Sequence, residues 1–171
     1  TTTSFEVRFP LSIDVLVSKS RIVGGFDNEL NITIINNGQV EVSKLELTLN
    51  VPSPLIIHGD NKWSFEYLPP GSSTSITVEL YAPPTSIGST YSGSISLSYR
   101  DDYGESHSES HPLGLIVVGW IDLIVYGQSV APNPASPGDK ISIIATVLNK
   151  GNVAAMYVNA SIERSPILDL T

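Results

Sequence analysis

"ATVLNKGNVAAMYVNASI", residues 145–162, repeats the pattern of "ITIINNGQVEVSKLELTL", residues 32–49. Set without a gap, Ala145 falls under Ile32, Asn149 under Asn36, Gly151 under Gly38, Val158 under Leu45 and Ile162 under Leu49. In the earlier copy apolar and polar residues alternate on both sides of an Asn-x-Gly turn. Period-two alternation marks a strand with one buried and one wet face. Asn and Gly tolerate the backbone of a tight turn. The same pattern at a fixed offset marks a module used twice.

Working outward from residue 32, "ELNITII" places Leu30, Ile32 and Ile34 on one face. "VSKLELTLNV" turns Leu45, Leu47, Leu49 and Val51 inward and Lys44, Glu46 and Thr48 outward. "LPPGSS" is a turn before "TSITVELYA", with Ile76, Val78 and Leu80 inward. "YSGSISLSYR" sets Ile95, Leu97 and Tyr99 against a serine face, and "DDYG" leads back into "ESHSESHPLGLIVV". Short strands at hairpin spacing, with no helical stripe, predict an antiparallel β-sandwich of immunoglobulin type.

At Trp120 the cycle restarts. Ile13–Asp14 matches Ile121–Asp122 at an offset of 108, which implies a loop five residues longer, "APNPASPGD", in the second copy. Insertions in turns are cheap. The expected organisation is tandem immunoglobulin-like sandwiches. Residues 1–119 form a complete module, and residues 120–171 the first three strands of a second, incomplete one. Residues 1–10 read as the last strand of a preceding module, because "FEVRFPLSID" is similar to "HPLGLIVVGWID", or as a donor strand, because Phe5, Val7 and Phe9 alternate with Glu6 and Arg8.

Composition narrows the function. Of 171 residues 41% are hydrophobic and 15% charged, enough apolar side chains for a core. The net charge is −8, with only nine Lys and Arg. Binding to phosphates or to an anionic membrane surface needs clustered cations, so neither nucleic acid nor membrane is an expected partner. There is no cysteine, which excludes disulfides and thiolate metal sites. The most apolar run, "LGLIVVGWIDLIVYG", is too short to span a bilayer and carries Asp122. "TTTSFEV" reads as a mature or trimmed start.

The phrases "LNITIINNGQVEVSKLELTL", "LPPGSSTSITVELYAP" and "IDLIVYGQSVAPNPASPGDKISIIATVLNKGNVAAMYVNASI" resemble the archaeal S-layer-like domain proteins, relatives of the CARDB and NPCBM-associated immunoglobulin-like domains. The resemblance runs from Ser12 onward. It implies tandem immunoglobulin-like sandwiches on the outside of an archaeal cell.

In "HSESH", His107, Glu109 and His111 share a strand face about 7 Å apart. They offer metal-ligating atoms, but alternate strand positions splay, and the expected reading is a solvated outer face interrupted by Pro112. Asp101, Asp102 and Glu105 in "RDDYGE" lack calcium-loop spacing and suit a hairpin turn. Asp27 and Glu29 are a weaker pair. His58 has no recognisable context, and no serine lies in a nucleophile elbow. Trp63, Phe65 and Tyr67 suggest a sugar-stacking platform, though core sealing is the expected role. No catalytic, cofactor or metal residue is therefore assigned, and no cofactor. Asn31 and Asn159 head N-x-S/T sequons, lie out of phase with their apolar neighbours, and are the candidate N-glycan acceptors.

The expected function is a non-catalytic extracellular module of a cell-surface protein: S-layer-associated, adhesive or filament-forming. Its partners would be other chains at the surface, including its own copies through unpaired strand edges. The rival is a carbohydrate-binding accessory module of a surface enzyme or transporter.

Overall fold

The computed structural model describes residues 10–161. Phe5, Val7 and Phe9, on which the donor-strand expectation rests, and the end of the repeat at Ile162 lie outside the described residues. The chain divides into two units, Thr1–Gly119 and Trp120–Thr171.

Unit 1 contains β1 (Ile13–Val17), β2 (Arg21–Val23), β3 (Asp27–Asn36), β4 (Val42–Asn50), β5 (Ile56–His58), β6 (Lys62–Leu68), β7 (Ser73–Tyr81), β8 (Thr90–Asp101) and β9 (Ser106–Val118). They form a four-stranded sheet ordered β1-β3-β7-β5 and a five-stranded sheet ordered β2-β9-β8-β4-β6. This is an immunoglobulin-like β-sandwich. The first edge is split between the sheets: β1 pairs antiparallel with β3, and β2 pairs parallel with the end of β9. That parallel pair departs from the expectation of wholly antiparallel sheets.

The inward residues read from the alternation all lie in one buried cluster. Leu30, Ile32, Ile34, Leu45, Leu47, Leu49, Ile76, Val78, Leu80, Ile95 and Leu97 belong to it, joined by Leu113, Leu115 and Val117 from β9. Val42 is also fully buried, although period two puts it on the opposite face from Leu45. A bulge between Ser43 and Glu46 resolves the conflict. Lys44 takes φ 50° there, and the extra residue lets Val42 and Leu45 both face inward.

Unit 2 contains β10 (Leu123–Ala131) and β11 (Ser142–Asn149), an antiparallel pair. The expected third strand, corresponding to β4, does not form among the described residues. Residues 150–161 carry no strand, and Met156, Tyr157 and Val158 are exposed. Among the described residues of this unit no second sheet faces β10 and β11, so such a strand has no apolar surface to cover. Ile143 and Val147 are likewise exposed, where their counterparts Leu30 and Ile34 in unit 1 are buried.

The two units share one local device. Asn36 Nδ2 donates to Val40 O (2.9 Å), and its Oδ1 accepts from Gly38 N (3.0 Å). Asn149 Nδ2 donates to Val153 O (2.8 Å), and its Oδ1 accepts from Gly151 N (2.9 Å). Gly151 is required by close approach, since a Cβ there would run into Trp120 O and come within 2.7 Å of Ile121 Cα. The first strands align differently from the dipeptide match. Ile13 faces Asn36 and Leu123 faces Asn149, so Leu123, not Ile121, is the counterpart of Ile13. The offset there is 110 (123 minus 13), and the second copy is longer by three residues rather than five. A bulge between Val125 and Gly127 absorbs part of the excess.

Leu47 is fully buried and Thr48 only partly. Leu47→Ala is expected to cost about 2–5 kcal/mol. Thr48→Ala, on the outer face, is expected to cost less than about 1 kcal/mol. Urea melts of the two variants check the assigned phase.

Candidate functional site

The polar groups of unit 1 concentrate at the hairpin between β8 and β9. Tyr99 faces His107, Leu97 faces Glu109, and Ile95 faces His111. Residues directly opposite in an antiparallel pair point to the same side of the sheet. Ile95, Leu97 and Tyr99 point into the sandwich, so His107, Glu109 and His111 do as well. They are only partly buried, while Ser106, Ser108 and Ser110 are exposed on the other face. The "HSESH" triad therefore does not lie on a solvated outer face, contrary to the expectation from its polar residue types. The parity that buries Leu113 and Leu115 also carries these three residues inward. The core ends before it reaches them.

Pro112 does not interrupt the ladder. Ile116 N–H donates to Ser20 O beside β2, whereas Val117 N–H donates to Ser89 O. Backbone groups alternate sides along a strand. Pro112 shares the parity of Ile116, so its missing N–H lies on the side away from β8, and Ser94 still pairs opposite it.

Asp101 anchors the hairpin. Its side chain is 4% exposed. Oδ1 accepts the backbone N–H of Tyr103 (3.0 Å) and of Glu105 (2.8 Å), and Oδ2 lies 2.9 Å from His107 Nε2. Burial opposes ionisation of Asp101. The hydrogen bond and charge of His107 and the two backbone donors outweigh it, and its pKa lies below the usual 3.8. Tyr99 stacks on His107 with centroids 5.3 Å apart and donates its hydroxyl proton to Glu109 Oε1. Burial first, then Glu109 and Asp101, raise its pKa well above the usual 10.0. His111 Nε2 is 3.3 Å from Glu109 Oε2, within ion-pair range but out of hydrogen-bonding alignment, and it has no other side-chain partner among the described residues.

One ligand atom each from Asp101, Glu105 and His107 fall within 4.8 Å of one another. This is the chain's best geometry for a cation among the described residues, and it differs from both triads suggested by sequence. It draws Asp101 and Glu105 from one motif and His107 from the other, while Asp102 is exposed. The Asp101 carboxylate is already satisfied by two N–H donors and an imidazole, which accounts for its burial without an ion.

The remaining candidates are separate. Trp63 and Phe65 lie opposite Leu47 and Leu45 and pack against the core, and Tyr67 is exposed, so the three do not make one flat platform. His58 stacks on Tyr81 and lies 3.4 Å from Asp27. Glu29 sits on β3 opposite Glu79. Asn31 and Asn159 are both exposed. Asn31 Oδ1 accepts from Thr77 Oγ1 (2.6 Å), and Thr33 of the same sequon meets Ser75 (2.8 Å) on the hydroxyl-rich face of the four-stranded sheet. No helix among the described residues is long and apolar enough to cross a membrane.

The family model described as PTHB1 GAE domain matches residues 28–111. No curated protein matches the chain. A Bacillus cereus major pilin subunit, BcpA, superposes with a TM-score of 0.49 at 11% identity, covering 84% of this chain and 56% of the pilin. The native conformation of Escherichia coli alpha-2-macroglobulin gives 0.44 at 17% identity, over 71% of this chain and 8% of that protein. The Salmonella alpha-2-macroglobulin gives 0.44 at 14% identity, over 69% and 8%. The chain thus spans less than two thirds of each of these structures. The class, an immunoglobulin-like β-sandwich, stands on the chain's own strand order and register.

Two outcomes are expected at this hairpin. The depressed Asp101 pKa adds stability at pH values above about 3.8, and this is lost as pH falls through the lower folded value. Asp101→Asn should therefore flatten the acid limb of the stability–pH curve, as read by thermal melts from pH 6 to pH 2. EDTA should leave the melting temperature unchanged. A fall of several degrees, reversed by Ca²⁺ or Zn²⁺, would assign a structural ion to Asp101, Glu105 and His107.

Proposed function

We propose that this chain is a non-catalytic structural module of an extracellular, cell-surface protein of archaeal type, S-layer-associated, adhesive or filament-forming. The observation that carries the reading is the repeated Asn-x-Gly clasp, Asn36 with Gly38 and Asn149 with Gly151, at the same point of two successive strand pairs. Tandem use of one sandwich is how extended surface proteins gain length without new chemistry. The resemblance of the "LPPGSS" and Asn-x-Gly phrases to archaeal S-layer-like domains supports the location. The hydroxyl-rich outer faces and the exposed sequons at Asn31 and Asn159 suit a glycosylated surface. The hairpin residues act in this reading as structural groups that close the end of the sandwich.

The inward packing of Trp63 and Phe65 weighs against the rival, a carbohydrate-binding accessory module. Protease treatment of intact cells carrying the parent protein should cleave epitopes of residues 10–119 without lysis. Protection until lysis would refute the surface location. A glycan array probed with this chain should be blank, and affinity lost on Trp63→Ala would favour the rival.

A further inference from the structure

We infer that the outer edge of β9 is a self-pairing interface, through which two copies of this chain join antiparallel about Ser108. Among the described residues no strand pairs with this edge from Ser106 to Leu115, because β2 covers only Ile116–Val118. The backbone groups of Ser106, Ser108 and Ser110 share the parity of Ile116, whose N–H points to the β2 side. Their N–H and C=O groups therefore face outward from the sheet edge, and their side chains are small and exposed. An edge of this kind is a template for another strand.

The sequence of the edge selects the occupant. Residues 105–111 read Glu-Ser-His-Ser-Glu-Ser-His. Reversing the segment exchanges every Glu with a His and leaves every Ser in place. Antiparallel apposition with itself about Ser108 sets His107 against Glu109 and Glu105 against His111 of the second copy, and the reciprocal pairs repeat them. Ser108 faces Ser108, and Ser106 faces Ser110, in hydrogen-bonded positions. Shifting the centre to Ser110 sets His107 against Leu113 and brings Pro112, with no N–H, opposite Ser108. Parallel in-register pairing sets like against like. The Ser108 register alone pairs every Glu and His of the segment with its opposite and needs no hydrogen bond from Pro112. His111 Nε2, which has no aligned hydrogen-bond partner among the described residues, gains a carboxylate. The contact is isologous, so it closes as a pair and joins two five-stranded sheets into one. It stands on the edge geometry and does not rest on the surface location proposed above.

The test uses the intact chain and single substitutions. Light scattering at about 0.1 mM is expected to give twice the 18.4 kDa monomer mass. Ser108→Pro removes an edge-facing N–H without touching the β8 ladder, as Pro112 already does. It should return the mass to that of the monomer, with the circular dichroism and melting temperature retained. The chain has no cysteine, so Ser108→Cys supplies a unique thiol. Opposed Ser108 positions lie about 5.5 Å apart at Cα, inside disulfide range, whereas two Ser110 positions would be about 14 Å apart. Ser108→Cys should cross-link to a dimer under mild oxidation and Ser110→Cys should not. If Ser108→Pro fails to fold, the cross-linking contrast decides. A monomeric mass for the intact chain, a dimer that survives in folded Ser108→Pro, or equal cross-linking of the two thiols overturns the inference.

Discussion

The buried amide of Asn36 is the constraint on which unit 1 depends. At 0% exposure it must satisfy its polar atoms internally. It does so by donating to Val40 O in the turn and to Leu68 O at the end of β6, and by accepting from Gly38 N. β3 belongs to the four-stranded sheet and β6 to the five-stranded one, so a single side chain ties the two layers at one end. The turn it shapes sends the chain from β3 into β4, and from there every inward leucine falls into phase. In unit 2 Asn149 repeats the turn but, among the described residues, finds no counterpart of Leu68 O. Local geometry is retained there while the layer it would clasp is not.

The hairpin of β8 and β9 shows what happens where a sandwich outgrows its core. The four-stranded sheet covers Leu113, Leu115 and Val117 but leaves the face at His107–His111 half open. Polar side chains occupy those inward positions and pair across the hairpin, Asp101 with His107 and Tyr99 with Glu109, and along β9, Glu109 with His111. Each partner limits the cost of partial burial for its neighbour. The same parity sends the serines outward and turns to the edge the backbone groups that no strand pairs among the described residues. One two-residue period thus settles three matters together: which atoms are buried, which are wet, and which are available to another strand.

Much of this was legible in the sequence. Alternation assigned the inward residues of β3, β4, β7 and β8, because a strand with one buried face leaves a period-two record in residue type. The Asn-x-Gly repeat marked the second unit for the same reason: a buried amide and a glycine under close approach are both hard to substitute. Val42 escaped the pattern because a bulge breaks the period without leaving a distinctive residue. The first-strand offset was misread because Ile121–Asp122 imitates Ile13–Asp14, while hydrogen bonding aligns Leu123 with Ile13.

The side on which "HSESH" lies was decided by tertiary structure. Period two says that His107, Glu109 and His111 share a face, but not which face, and polar residue types argue for water. Only the register against β8 carries them inward beside Tyr99. The grouping of Asp101 with Glu105 and His107 likewise depends on how tightly the hairpin turns. By itself the sequence determined the period, the repeat and the turn chemistry, since these are local properties of the backbone and its side chains. Which edge stays open among the described residues, and where the core ends, were settled only when the two sheets packed, because both depend on which distant strands cover them.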